Sequence, residues 1–345
     1  MNSLNDLLQN LIVNIITVLI MSKPNNNKFP VTSETSSIPR KKVLLKYNGD
    51  DDNDFATFLQ LSSHKILNGR KYFNENETKC ILPSDEKEVN REAMSNAIRK
   101  HLFQKNFFSP IEEKLIIGAK VLDVGCGSGF WVIDMGSEYP SSTFIGIDID
   151  STKFPSHDQQ PPNVGFLACN ITHGIPFPPE TFDFVHMSMM CCALTEDQWH
   201  QLVREIVRIL KCDGWVEFVE GDPWFKNYGK VGTLVIETFV EMCKTKGINV
   251  NIHAIIPKLI GSMNAFRDLE YVNAEYPLGD WGGCLGKFTL ANIRKVCEGI
   301  IDAQKYFGLS AKEYDDLLTS YVKELNENRA TGFYHRYFAR KVHTS

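Results

Sequence analysis

The sequence predicts an α/β fold, a mostly parallel sheet with helices on both faces, and three observations carry that prediction. From residue 119 onward strand-like and helix-like segments alternate. The strand-like segments are continuous runs of Val, Ile and Phe, as strands buried on both faces require. A glycine-rich turn, VLDVGCGSGF at 121–130, follows the first of these strands and opens a helix, the place where such sheets bind ligands.

The elements follow in order. Leu4, Leu7, Leu8, Leu11, Ile12, Ile15, Ile16 and Leu19 recur at helical spacing, interrupted by Asn5, Asp6, Gln9, Asn10 and Asn14. This predicts an amphipathic helix that falls short of the roughly 20 consecutive apolar residues of a membrane span. It also lacks the basic start and small-residue cleavage site of a secretory signal, and no membrane contact is expected; Met21 offers an alternative start. Residues 22–40 are Ser, Asn, Pro, Thr and Lys without periodicity, expected as a disordered tail. GDDDND at 49–54 lacks the glycine and closing Glu of a calcium loop and reads as a solvated turn.

Val89, Ala93, Ala97, Ile98 and Leu102 predict a helix over 86–107 with those residues on its buried face. In SPIEE, Ser109 is expected to cap, Pro110 to take the first helical position and Glu112 to reach back, the helix ending at Gly118. Strands are expected at 119–125, 143–148, 164–168, 182–188 and 215–220, and helices at 129–138 and 196–210. Further helices are expected at 230–246 and 288–307, and from the capping box Ser310 and Glu313 to about Asn326. GFYHRYFARK at 332–341 predicts a last strand, placed antiparallel at the sheet edge. The chain divides into a helix and tail (1–40), a helical extension acting as a lid (41–115), a ligand-binding core (116–225), and a substrate-side insertion that also completes the sheet (226–345).

Composition narrows the function classes. With 345 residues, 43% hydrophobic and 23% charged, the chain has ordinary globular make-up. Its formal charge of -5, from 37 basic and 42 acidic residues, supplies no basic field for a nucleic-acid partner, and none is expected. Nine scattered cysteines without a C-x-x-C point to reduced thiols in the cytoplasm or nucleus rather than disulfides or a zinc site. Sequons at Asn76 and Asn170 are then idle.

Gly125, Gly127 and Gly129 let a ligand approach the main chain where side chains would collide. The spacing is G-x-G-x-G; a dinucleotide fingerprint would need a further glycine where Phe130 stands, which disfavours a nicotinamide oxidoreductase. Asp123 before the loop and Phe130-Trp131 after it also suit a pyrophosphate poorly. They suit a ligand with a zwitterionic amino-acid tail and a cationic reactive centre. Asp148, 23 residues after Gly125, can accept both hydroxyls of an unphosphorylated ribose. Asn170, ending the third strand, can meet an adenine amino group. Taken alone, Asp148 and Asp150 also read as a solvated strand end, and Asn170 as a turn.

VLDVGCGSG, GIDI, NVGFLACN, IPFPPETFDFV and ILKCDGWVEFVE, in order over 120–220, resemble the successive motifs of class I S-adenosylmethionine-dependent methyltransferases. YFNENETKCILPSDEKEVNREA before this core and YPLGDWGGCLG after it resemble the fungal methyltransferases related to regulators of secondary metabolism. The resemblance implies a Rossmann-like seven-stranded sheet with a reversed last strand and S-adenosyl-L-methionine as cofactor. It implies that Gly125, Cys126 and Gly127 line the methionine part, Asp148 and Ile149 the ribose, and Asn170 and Ile171 the adenine. Asp123, Gly129 and Ser188 complete the cofactor-binding set. Two departures stand out: Asn170 where many members carry Asp, and Cys212-Asp213 where a Pro-Gly turn is usual.

Methyl transfer from a sulfonium is an in-line displacement that rests on alignment and needs no metal. A base helps only when the acceptor holds a proton. His186 and Glu220, at the carboxyl ends of the fourth and fifth strands, are the candidate bases; His186 also reads as a core histidine and Glu220 as a strand-end acceptor. Ser188 and Asp222 are further candidates at the same strand ends, and Met189, Met190 and Trp224 are expected as packing or as walls of the acceptor pocket. SMMC at 188–191 replaces the D/N/S-P-P-Y/F of base-methylating enzymes, and no Glu lies between Thr181 and Thr195 as in protein arginine methyltransferases. The expected acceptor is therefore a small molecule or a protein side chain, entering beneath a lid built from the N-terminal helix and residues 224–285. The alternative is a non-catalytic S-adenosylmethionine-binding regulator working with protein partners.

Overall fold

The structure is a computed structural model that describes residues 64–74 and 78–343. The expected N-terminal helix, the tail, the acidic run at 49–54 and the Asn76 sequon lie outside the described residues. Chain order gives β1 (His64–Leu67), β2 (Arg70–Phe73), α1 (Glu86–Phe103), α2 (Glu112–Ile117), β3 (Lys120–Val124), α3 (Phe130–Glu138), β4 (Thr143–Asp148), β5 (Val164–Ala168), β6 (Phe182–Ser188), α4 (Glu196–Ile209) and β7 (Leu210–Gly221). Then come α5 (Gly229–Thr245), α6 (Ile252–Ser262), β8 (Phe266–Pro277), α7 (Gly283–Gly299), α8 (Ala303–Phe307), α9 (Ala311–Glu327) and β9 (Thr331–Lys341).

Seven strands form one sheet in the order β5-β4-β3-β6-β7-β9-β8. The five from β5 to β7 run parallel, and β9 lies antiparallel to both neighbours. Successive strand residues point to opposite faces, and the core divides accordingly. Leu122 and Val185 pack with Trp199, Leu202 and Ile206 of α4 and with Ile256 of α6. Val121, Phe144 and Phe184 pack on the other face with Leu115 of α2 and Trp131, Val132 and Met135 of α3. Helix α4 forms because Trp199, Leu202, Val203, Ile206 and Ile209 repeat at helical spacing behind a Thr195–Gln198 capping box. Burying each such side chain contributes about 1.5–3 kcal/mol.

The structure corrects four expectations. The last strand is reversed, but it is interior; β8, from the stretch expected as a lid insertion, takes the edge. Its exposed Arg267, Asp268 and Glu270 are what an open sheet edge carries to discourage pairing, and they hid it as a strand. Ser109 does not cap α2, which begins after Ile111 without a side-chain cap. Instead the Ser109 amide and hydroxyl both donate to the buried Glu217 carboxylate, at 2.8 and 2.7 Å, so Pro110 stays outside the helix. The helix expected over 288–307 is two, α7 and α8, broken around Asp302, whose φ of 56° is left-handed. The fourth correction concerns α1, whose buried residues are Glu88, Arg91, Ser95, Ile98 and Phe103; of the five apolar positions expected inside, Ile98 alone is fully buried.

Asp85 fixes the start of α1. Its carboxylate accepts from the Glu88 amide and from Arg70 of β2 at 2.6 and 3.0 Å. Asp85→Ala should lower stability by about 1–2 kcal/mol, read as a lower urea midpoint at unchanged slope. An unchanged midpoint would remove this cap from the account.

Candidate functional site

The loop between β3 and α3 is tied down by main-chain bonds. The Gly125 and Cys126 amides both donate to the Ile147 carbonyl, at 2.8 and 3.0 Å, stitching the loop to the end of β4. Gly125 and Gly127 adopt φ of 69° and 55°, the left-handed region that glycine enters without steric cost. The Gly127 amide donates to Asp148 Oδ2 at 2.9 Å, and Asp148 Oδ1 accepts from the Asp150 amide at 2.9 Å. Each carboxylate oxygen keeps a lone pair for a further donor. Burial, outweighing nearby Lys153 and those two amides, raises the Asp148 carboxyl above its usual value.

A cavity of about 190 Å³ opens above this loop. Asp123, Gly125, Cys126, Gly127, Asp148, Ile149, Asn170, Ile171 and Ser188 all line it, and so does His186. Gly129 does not; it ends the loop as the left-handed residue before α3. Glu220 also lies outside the lining. Asp150 is not solvated: it is buried, caps the turn at Ser151–Lys153 through the Thr152 amide, and accepts from the Ser84 hydroxyl.

The roof is α1, contributing Glu88, Arg91, Glu92, Ser95, Asn96 and Arg99. That polar stripe is why α1 buries charged residues, and its three- and four-residue spacing was the overlooked signal. Glu92 reaches the loop directly. Its Oε2 accepts from the Ser128 amide and hydroxyl at 2.9 and 2.6 Å, and its Oε1 from Lys153 at 3.0 Å. Burial opposes the Glu92 charge, but Lys153 and Ser128 outweigh it and hold the carboxyl below its usual range.

The two candidate bases are engaged. His186 Nδ1 meets Asp123 Oδ1 at 2.7 Å, and its ring stacks on Trp131 at 3.9 Å with 7° between planes; all three residues are buried. Glu220 accepts from the Met190 and Cys191 amides at 2.8 and 3.2 Å, holding the turn after β6 where Met189 has a φ of 58°. Burial, against those amides, pushes the Glu220 carboxyl up to about 7. Asn170 turns its amide oxygen onto the Thr172 amide and hydroxyl, at 3.1 and 2.8 Å, so meeting an adenine amino group takes that oxygen off Thr172. Ser188 Oγ is buried in the cavity wall with no hydrogen-bond partner, whereas buried polar atoms ordinarily find one.

A second cavity of about 150 Å³ shares Arg91, Ser95, Met189 and Cys192 with the first. Its remaining wall is largely apolar, with Phe225, Ile236, Phe239, Met242, Tyr276 and Ile293 among its members. Among the described residues no helix is long and apolar enough to cross a membrane.

Residues 121–214 match the family described as a methyltransferase domain. The chain is 28% identical over 181 residues to methyltransferase str2 of Strobilurus tenacellus, covering 52% of this chain and 58% of that protein. It is 31% identical over 169 residues to the secondary metabolism regulator laeA of Aspergillus niger, covering 45% and 40%. The chain thus spans about half the length of the curated relatives it matches. Its fold aligns with the Haemonchus contortus phosphoethanolamine N-methyltransferase 2 complex containing phosphomonomethylethanolamine and S-adenosylhomocysteine, at a TM-score of 0.42 and 19% identity, over 73% of this chain and 58% of that one.

Proposed function

We infer that this chain, which carries a methyltransferase domain over residues 121–214, is an S-adenosyl-L-methionine-dependent methyltransferase acting on a small molecule or a protein side chain. One observation carries the reading: the main chain of the glycine loop, unscreened by side chains at Gly125 and Gly127, the Asp148 carboxylate and the partnerless Ser188 hydroxyl face the same cavity. These groups fit an adenosyl amino acid. Gly125, Cys126 and Gly127 would take the methionine part, Asp148 and Ile149 the ribose, and Asn170 and Ile171 the adenine. Arg91 in the roof donates from Nε and Nη2 to Glu88 at 2.9 and 2.7 Å, so its Nη1 is the atom that would meet a ligand carboxylate.

When bound, the cofactor supplies an electrophilic methyl on a sulfonium. The protein's contribution is placement. Asp123, gripped by His186 and that ring by Trp131, braces the base of the loop, and Glu220 fixes the turn that carries Met189 and Met190 over it. Met189 belongs to both cavities, so an acceptor held in the apolar one approaches across it. His186 and Glu220 then act as positioning residues, which suits an acceptor needing little help with its proton.

The same two engaged side chains favour a second reading, a non-catalytic cofactor-binding regulator with protein partners. Cytoplasm or nucleus is the proposed location for both, on the nine cysteines, which are free thiols. Incubation with methyl-tritiated donor and a host metabolite and protein extract decides between them. The enzyme reading expects label in a defined product. Tight donor binding without any labelled product supports the regulator.

A further inference from the structure

We propose that Asp222, His253 and His335 form a binding site for a first-row divalent metal ion, beside the apolar cavity and separate from the cofactor pocket. The three residues are far apart in sequence. The fold brings them together from the turn after β7, the first turn of α6 and the middle of β9. Asp222 Oδ2 lies 3.7 Å from His335 Nε2 and 4.0 Å from His253 Nε2, and the three ligand atoms lie within 4.8 Å of one another. The two imidazole rings stack at 4.4 Å with 13° between planes.

These separations are too long for hydrogen bonds. Two further atoms are also unexplained: His335 Nε2 and His253 Nδ1 are buried without a hydrogen-bond partner, whereas buried polar atoms ordinarily find one. A cation among the three ligand atoms accounts for the His335 nitrogen and for a carboxylate held at 3.7 and 4.0 Å from two imidazole nitrogens without a hydrogen bond to either. With metal–nitrogen and metal–oxygen bonds of about 2.0–2.2 Å, ligand atoms sit about 3–3.5 Å apart, a small side-chain rotation from what is observed.

The surroundings have the features of a supported site. The Tyr271 hydroxyl bonds His335 Nδ1 at 2.7 Å, fixing the ring so that Nε2 faces Asp222. The Trp224 amide donates to Asp222 Oδ1 at 2.8 Å, leaving Oδ2 as the ligand atom, and the Asp222 main chain bonds the Phe333 carbonyl on β9. Two imidazoles and one carboxylate suit zinc, cobalt, iron or manganese rather than calcium or magnesium. Three protein ligands leave positions for water, or for an oxygen or nitrogen of a molecule in the cavity that Asp222 also lines. The site stands whether or not the chain transfers methyl groups.

The test uses the full chain, stripped with chelator and titrated with Co²⁺ by visible absorption and with Zn²⁺ by calorimetry. His253→Ala and Asp222→Asn are compared with His157→Ala, an exposed histidine elsewhere, after thermal melts establish which variants fold. The expected result is one saturable ion per chain, unchanged in His157→Ala and at least tenfold weaker in a folded His253→Ala or Asp222→Asn variant. Absence of saturable binding, or less than tenfold weakening in both variants, overturns the site.

Discussion

Gly127→Val should abolish measurable S-adenosylmethionine binding, a loss of more than about 100-fold, in a protein that still folds. Three effects act at one position. Gly127 has φ of 55°, and a β-branched residue in the left-handed region costs roughly 1–2 kcal/mol. A Cβ there would lie 2.8 Å from Glu92 Oε2, pushing away the side chain that ties α1 to the loop and pairs with Lys153. The branched side chain would also project into the cavity that Gly127 lines. The core on either side of the sheet does not involve this residue, so circular dichroism should be preserved. Calorimetric titration is the measurement. Affinity within tenfold of wild type would place the ligand elsewhere.

Asp148→Ala should weaken cofactor binding by roughly 1.5–3 kcal/mol through lost charge-assisted hydrogen bonds, about 10- to 150-fold. The carboxylate sits where the end of β4 meets the loop, already fixed by the Gly127 and Asp150 amides, so a ribose gains two acceptors without ordering them. Asp148→Asn separates the parts of the effect. It keeps one acceptor oxygen for Gly127 while losing the charge, and should fall between wild type and Ala. Equal affinities across all three proteins would remove Asp148 from the site.

The parallel half of the sheet was legible because its strands carry unbroken apolar runs that need burial on both faces, as Val121, Leu122, Phe184 and Val185 do. The loop and Asp148 were legible because close backbone approach demands glycine at fixed offsets from a strand. What escaped obeys other rules. Strand β8 exposes one edge and much of its surface, so its charges read as loop. Helix α6 carries Pro257 within it, which argues against a helix locally and is tolerated where tertiary packing of Ile256, Leu259 and Ile260 outweighs it. The inward face of α1 is polar because it roofs a cavity, and a rule that sends apolar residues inward points to its other side. Asp213 shows the reverse case: replacing the usual glycine, it still adopts φ of 58°, within reach of Asp. His186, Glu220 and the Asp222–His253–His335 cluster depend on partners brought together by strand order, which no local pattern in the sequence encodes.

The most direct measurement is a crystal structure of the chain with S-adenosylhomocysteine. The ribose is predicted against Asp148 and Ile149, the adenine against Asn170 and Ile171, and the amino-acid tail over Gly125 to Gly127 beneath Glu92 and Arg91. Density for the ligand at any other position, or a pocket closed by the Met190 and Glu92 side chains at saturating ligand, would contradict it.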